Sequence, residues 1–141
     1  ARGVGYEPTI LDSLAEIDRG HWEGHEAAEI KRRWGKLHKQ WYDDPAGLAM
    51  PGGEAFDDLW DRAGAALDRI ASDGGDSVLV CAHKAINRVL IARLLGRPTK
   101  GVWAIPQPQA GLSELIFDGG AWRAESIGDV EHLPDGMRSE T

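Results

Sequence analysis

Several common protein classes are excluded by what this sequence lacks. It has one cysteine, Cys81, so it can form no intrachain disulfide and no CxxC zinc site. It has no GxxxxGK[ST], GxGxxG or GxSxG motif, so the phosphate-binding loops and the nucleophile elbow that these motifs form are unsupported. It also lacks a signal peptide and an apolar run long enough to cross a bilayer, which predicts a cytoplasmic location.

An excess of positive charge is missing as well. The formal net charge is -7 and the sequence pI is about 5.1. This balance argues against nucleic acid or an anionic membrane surface as a partner. A small anionic substrate is still compatible, because a local cluster of donors can oppose the global charge.

The hydrophobic pattern predicts three helices. Apolar residues recur three and four positions apart, which places them on one face of each helix. Gly96 and then Pro98 follow the last segment and are typical of a helix end. The predicted helices span residues 25–41, 54–72 and 84–95.

The strand signals differ between the middle and the end of the chain. Residues 77–82 form a continuous apolar run without polar alternation, which predicts a strand buried on both faces, with Cys81 as a small core side chain. Residues 112–117 and 122–127 flank Asp118-Gly119-Gly120, which predicts a hairpin. We therefore expect one α/β domain over residues 1–133, followed by a polar tail at 134–141.

His83 is the strongest candidate for a functional residue. It lies at the carboxyl end of the predicted buried strand and directly before a helix, where open α/β sheets bind ligands. We expect the amides of Lys84 and Ala85 to face an anion such as phosphate, which the imidazolium could also bind. Alternatively, His83 is a structural histidine and Lys84 a solvated surface charge. Asn87 and Arg88 are weaker candidates.

A glycine-bracketed loop holds two further candidates, Glu16 and Trp22. In a partly desolvated cleft, the carboxyl group of Glu16 could serve as a general acid and base. The alternative is an ordinary loop carboxylate in water. Trp22 lines a pocket or anchors the loop, and the sequence leaves both interpretations open.

A metal site and a helix cap are further readings of polar residues. His21 and His25 are four residues apart, which would suit metal binding on a helix, but Gly20 and Gly24 argue against a helix there. A metal-dependent hydrolase that uses these histidines is a third hypothesis, which the glycines make less favoured. Glu54 follows Pro51-Gly52-Gly53 at a predicted helix start, where a helix-capping role is expected.

Taken in order, four segments resemble the histidine phosphatase superfamily, the phosphoglycerate-mutase-like proteins. The short loop around Glu16 resembles its phosphatase branch, which includes broad-specificity phosphatases and α-ribazole phosphatase. The matching segments are Leu14-Ala15-Glu16-Ile17 with Gly20-His21-Trp22-Glu23-Gly24, Pro51-Gly52-Gly53-Glu54, Val78 to His83, and Asp118-Gly119-Gly120 through Leu133.

This resemblance implies a three-layer α/β/α fold with a mostly parallel sheet and an antiparallel hairpin at its edge. It also implies that His83 is the second histidine of a phosphate pocket and that Glu16 protonates the leaving oxygen. Lys84, which stands where many members have a small residue, and Trp22 would contact phosphate or substrate. Neither a metal nor another cofactor is required.

The family's nucleophilic histidine belongs to an Arg-His-Gly motif that does not occur in these 141 residues. We therefore expect an N-terminal strand-helix unit to be missing from this chain, which would be the later portion of the domain and inactive alone. That segment is then a partner, and a homodimer is left open.

Besides the metal-dependent hydrolase, two classes of function remain at this point. The first is an enzyme of the histidine acid phosphatase type, acting through a phosphohistidine on a small phosphorylated metabolite, with a phosphoglycerate mutase as a variant. The second is a non-catalytic domain that binds phosphate or serves assembly. Sugar phosphates, phosphoglycerate derivatives and ribazole phosphate are all compatible substrates.

Overall fold

The computed structural model describes residues 5, 7–73 and 75–138. Within these residues the chain forms four α-helices, short 3-10 turns and a two-stranded antiparallel sheet. The helices are α1 (Ala27–Arg33), α2 (Gly35–Asp43), α3 (Phe56–Asp73) and α4 (Lys84–Leu94), and the strands are β1 (Leu112–Phe117) and β2 (Trp122–Asp129). The described helices include none that is long and apolar enough to cross a membrane.

The predicted helix over residues 25–41 is in fact two helices. They meet at Trp34, whose backbone leaves the helical region at φ -125° and ψ 40°. Gly35 begins α2, and glycine lowers the cost of a break because its backbone is less restricted. The other two predicted helices are confirmed, with α3 and α4 differing from the predicted bounds by one or two residues at their ends.

The core lies between α3 and α4. Phe56, Leu59 and Ala63 of α3 are completely buried, as are Ile86 and Val89 of α4. Full burial of such apolar side chains contributes roughly 1.5–3 kcal/mol each relative to exposure. These contacts place the first turn of α4 beside the loops that precede α3.

Two glycine-containing loops interlock at one end of this core. The amide of His21 donates to the carbonyl of Pro51 at 2.8 Å, and the amide of Glu54 donates to the carbonyl of Asp18 at 2.9 Å. A β-carbon on Gly53 would lie 2.5 Å from the Asp18 carbonyl oxygen. Glycine is therefore required at Gly53 because the two backbones approach so closely.

Residues 77–82 do not form the predicted buried strand. In the described part of the chain they have no strand partner, and 68% of Leu79 and 51% of Val78 are exposed. Cys81 is exposed too, so the prediction of a core side chain is wrong for this structure. The physical reason is that a strand is buried by neighbouring strands, and the described residues provide none here.

The predicted hairpin is confirmed. Strands β1 and β2 pair antiparallel, with Phe117 opposite Trp122 beside the turn. The Asp118 carboxylate accepts the amides of Gly120 at 3.1 Å and Ala121 at 3.0 Å. These backbone hydrogen bonds hold the pKa of Asp118 below its usual value.

After the hairpin, the side chain of Arg138 contacts the backbone of the segment that follows β2. Its guanidinium donates to the carbonyls of Leu133 at 2.9 Å and Glu131 at 3.0 Å. The last three residues lie outside the described residues. The domain boundary after residue 133 therefore stays a prediction.

The interlocked loops generate a stability prediction. We expect Gly53→Ala to lower the free energy of unfolding by about 1–3 kcal/mol, because its methyl group overlaps the backbone of Asp18. Gly136→Ala is the matched control, since its methyl group meets nothing within 4 Å. Urea unfolding of the native polypeptide that carries this chain measures both. Equal stability of the two variants would contradict the close approach.

Candidate active site

The Glu16 carboxylate is bound to the N-terminus of α4. It accepts the amide of Ala85 at 2.9 Å through Oε2 and the amide of Ile86 at 3.2 Å through Oε1. Unpaired amides and the positive end of the helix dipole both favour a negative group at this position. The contact joins residues 69 and 70 positions apart, so it ties the loop around Glu16 to α4.

This arrangement corrects the prediction that the amide of Ala85 is open to a ligand. The Ala85 amide, which was expected to bind phosphate, donates to Glu16 instead. An external anion at the helix start would therefore lie beside a carboxylate. Such an anion would be bound mainly by side chains, because the Ala85 amide already donates to Glu16.

His83 directly precedes α4 and is exposed. Its backbone is extended, with φ -113° and ψ 174°, and its carbonyl accepts the amide of Asn87 at 3.0 Å. Its imidazole has no hydrogen-bond partner among the described residues. Lys84 follows as the exposed first residue of α4.

The structure therefore brings three predicted site residues to the first turn of α4. The Glu16 carboxylate accepts the amide of Ala85, His83 directly precedes the helix, and Lys84 is its first residue. The group combines a carboxylate with two potential cations, which is a chemically suitable set for holding a phosphate and moving a proton. Their individual roles stay predictions.

Arg88 adds a further charge to this region. Its Nε donates to the carbonyl of Ile105 at 2.7 Å, which fixes the side chain at one end. Burial lowers the pKa of Arg88, and Glu16 and Tyr42 oppose that change while Arg19 adds to it. Sequence reasoning ranked Arg88 low because helical spacing alone does not show which charges lie nearby.

Trp22 lies in the core, apart from the exposed residues at α4. Only 3% of it is exposed, and its ring packs against His38 and edge-on against Trp41. Its Nε1 has no partner within the described ranges. Of the two interpretations left open, burial favours the loop anchor, while a substrate contact stays an untested prediction.

The two histidines considered for metal binding have other contacts. Nδ1 of His25 lies 2.9 Å from Glu29, and this hydrogen bond lowers the pKa of Glu29 below its usual value. His21 packs so closely on Gly52 that a β-carbon there would lie 2.7 Å from Nε2. Residues 5, 7–73 and 75–138 contain no group of three or more potential metal ligands. The metal-dependent hydrolase thus has no ligand cluster in that part.

Sequence reasoning missed the ion pair between Glu54 and Arg62. Glu54 was expected to cap a helix, but it makes two hydrogen bonds with Arg62, at 2.5 and 2.9 Å. The pair is partly buried beside the Glu16 loop. An eight-residue separation that spans a loop and a helix start has no local sequence signal.

Comparisons with known proteins agree with this architecture. The family description "Histidine phosphatase superfamily (branch 1)" matches residues 1–130. A 2-carboxy-D-arabinitol-1-phosphatase from Triticum aestivum is 38% identical over 104 residues, which are 74% of this chain and 21% of the relative. The chain belongs to the histidine phosphatase superfamily, and the predicted family is confirmed.

Solved structures show the same fold. Bacillus stearothermophilus YhfR superposes with a TM-score of 0.76 at 27% identity, covering 88% of this chain and 62% of that one. The α-ribazole phosphatase from Shigella flexneri has a TM-score of 0.71 at 21% identity, covering 85% and 60%. The predicted phosphoglycerate-mutase-like fold class is confirmed. The chain spans under two thirds of these structures and about a fifth of the wheat relative.

The contact between Glu16 and α4 generates a second prediction. We expect Glu16→Ala to lower the free energy of unfolding by about 1–2 kcal/mol, because it leaves two helix-start amides without their acceptor. Glu16→Gln keeps an oxygen acceptor and should lose less. Hydrogen exchange at Ala85 and Ile86 and urea unfolding measure the effect. Unchanged exchange in Glu16→Ala would contradict the contact.

Proposed function

We propose that the native polypeptide carrying this chain is a phosphomonoester hydrolase that acts on a small phosphorylated metabolite through a phosphohistidine. The observation that carries the proposal is the placement of Glu16 on the first turn of α4, beside the exposed His83. A carboxyl group and a phosphate-binding cation are thereby held at the same helix start. Membership of the superfamily and phosphatase-named relatives support this choice.

The chemistry follows from these positions. A histidine outside this chain attacks phosphorus, so a nitrogen–phosphorus bond forms while the bond to the leaving oxygen breaks. Glu16 gives its proton to that oxygen, and His83 donates a hydrogen bond to a phosphoryl oxygen as charge develops. In the second step Glu16 takes a proton from water, which attacks phosphorus and releases the histidine as inorganic phosphate forms.

Two other predicted site residues have secondary parts in this proposal. Lys84, exposed at the start of α4, adds positive charge for phosphate binding. Trp22 is buried and supports the loop that carries Glu16, so its effect on substrate binding is indirect in this proposal. A cytoplasmic location belongs to the proposal as well.

The segment that supplies the nucleophile also has a proposed place. Residues 77–80 and β1 line one groove of about 1180 Å³, and the groove-lining Val78 and Leu79 are exposed. In the described structure β1 pairs with β2 alone, so its other edge is open. An added strand between 77–82 and β1 would cover apolar surface and pair both edges. The chain covers 62% of YhfR, and the proposed occupant is the segment of the same domain that carries the nucleophile.

Leu79→Asp tests whether an added strand covers the groove. In the native polypeptide we expect it to lower the free energy of unfolding by about 3 kcal/mol or more, because an added strand would bury the charge. Met137→Asp is the control, since Met137 is 69% exposed and outside the groove. If Leu79→Asp is as well tolerated as the control, no strand covers residues 77–82.

Activity tests the proposal itself. We expect the native polypeptide to hydrolyse p-nitrophenyl phosphate without added metal and to carry an acid-labile label after a quench with ³²P-labelled substrate. His83→Ala should lower kcat/KM by about 10²-fold, because one stabilising donor is lost. Glu16→Gln should lower kcat on alkyl phosphates by about 10²- to 10⁴-fold. Glu26→Gln, an exposed loop carboxylate, is the control.

The alternatives give different results in the same assay. A phosphate-binding or assembly domain would bind inorganic phosphate without turnover or labelling. A mutase would transfer the label to a second substrate hydroxyl in preference to water. The name of the wheat relative makes 2-carboxy-D-arabinitol 1-phosphate one substrate to compare with simple sugar phosphates and phosphoglycerate. Full activity in His83→Ala would overturn the site assignment.

A further inference from the structure

Arg62 of α3 is the hub of a hydrogen-bond network beneath the Glu16 loop. Its Nη1 donates to the carbonyl of Ser13 at 2.8 Å and to that of Ala15 at 2.7 Å. Its Nε and Nη2 donate to the two carboxylate oxygens of Glu54. One side chain therefore binds the backbone on either side of Leu14 and a carboxylate from the next loop.

Glu54 holds the guanidinium in a fixed orientation. The pair is bidentate, at 2.5 and 2.9 Å, and the two side chains are 22% and 18% exposed. A planar fork paired in this way loses less freedom per hydrogen bond than an ammonium group would. The Glu54 amide also donates to the Asp18 carbonyl at 2.9 Å, so Glu54 contacts the same loop beyond Glu16.

The backbone around Glu16 has little regular structure of its own. Before it lies a single 3-10 turn, Asp12–Leu14, and Ala15 is extended with φ -59° and ψ 153°. Arg62 accordingly binds the carbonyl of the residue that immediately precedes Glu16. Its hydrogen bonds set the direction in which the Glu16 side chain leaves the loop towards α4.

We propose that Arg62, held by Glu54, is a positioning residue for the proton donor Glu16. The inference rests on the proposed function, because it assigns a purpose to the geometry of the acid. Arg62 lies beneath the loop and acts through the backbone of residues 13–15, without contact to the reacting atoms. The Pro51-Gly52-Gly53-Glu54 segment then serves the site by supplying the partner that fixes Arg62.

A positioning role and a general structural role differ in their dependence on the leaving group. An alkoxide leaving group needs a proton as its bond to phosphorus breaks, whereas p-nitrophenolate is stable without one. A displaced Glu16 should therefore lower kcat/KM for alkyl phosphates and have little effect on kcat/KM for p-nitrophenyl phosphate, because kcat/KM does not include the later attack of water on the phosphohistidine. A damaged fold would slow both substrates equally.

The experiment compares Arg62→Met with Arg69→Met in the native polypeptide. Arg69 is on the same helix and pairs with Asp73 on the exposed surface, so its loss controls for an ion pair removed from α3. For Arg62→Met we expect kcat/KM on glycerol phosphate to fall by about 10²-fold, the usual cost of a misplaced catalytic group. On p-nitrophenyl phosphate kcat/KM should fall less than about threefold, and Arg69→Met should change neither.

Two further variants strengthen the comparison. Arg62→Lys keeps the charge but loses the planar fork, so it should recover part of the lost kcat/KM. Adding Arg62→Met to Glu16→Gln should cause no further loss of kcat/KM on glycerol phosphate, because the acid is already absent. If Arg62→Met does not fold, Glu54→Gln weakens the same pair while retaining an oxygen acceptor, and should show the same leaving-group dependence.

The outcomes separate the inference from the function beneath it. Equal loss on both substrates in a folded Arg62 variant, or an additive loss with Glu16→Gln, would overturn the positioning role. Unchanged turnover of glycerol phosphate in Glu16→Gln would instead overturn the acid assigned under the proposed function. A leaving-group-dependent loss in both Glu16 and Arg62 variants supports both.

Discussion

The contact between the Glu16 carboxylate and the first amides of α4 organises this part of the molecule. A helix start presents unpaired donors, and a carboxylate from a loop far away in sequence is their acceptor here. The loop cannot move without exposing or losing those hydrogen bonds. The position of His83 relative to Glu16 therefore follows from the position of α4.

The glycine-rich motifs of the sequence support this contact sterically. Gly53 lies against the backbone of Asp18, and the amide of Glu54 donates to the same residue. No side chain larger than hydrogen fits where the two backbones meet. The glycines thus permit an approach close enough for Glu54 to reach Arg62, and through it the loop before Glu16.

A second constraint is the uncovered sheet region. Residues 77–82 have the composition of a buried strand, but residues 77–81 lie exposed, and residues 77–80 line a groove together with β1. An apolar segment with open edges is an energetic liability unless another strand pairs with it. The groove reaches Val80, three residues before His83 in the sequence.

Local patterns in the sequence determined much of the fold. The helical periodicity of α3 and α4 and the Asp118-Gly119-Gly120 turn could be predicted, because each depends on residues close in sequence. The ordered motifs also identified the family and brought Glu16 and His83 into view. The break at Trp34 was missed, since hydrophobic spacing continues through it while the backbone does not.

Tertiary structure decided what those residues contact. The burial of Trp22, the Arg62–Glu54 pair and the Glu16 carboxylate on α4 all join segments that no local pattern relates. The exposure of Leu79 is likewise a property of its surroundings, because an apolar run is buried only where a neighbouring strand covers it. The sequence by itself therefore determined α3, α4, the hairpin and the candidate residues, and long-range packing and hydrogen bonding alone decided which of them lie together.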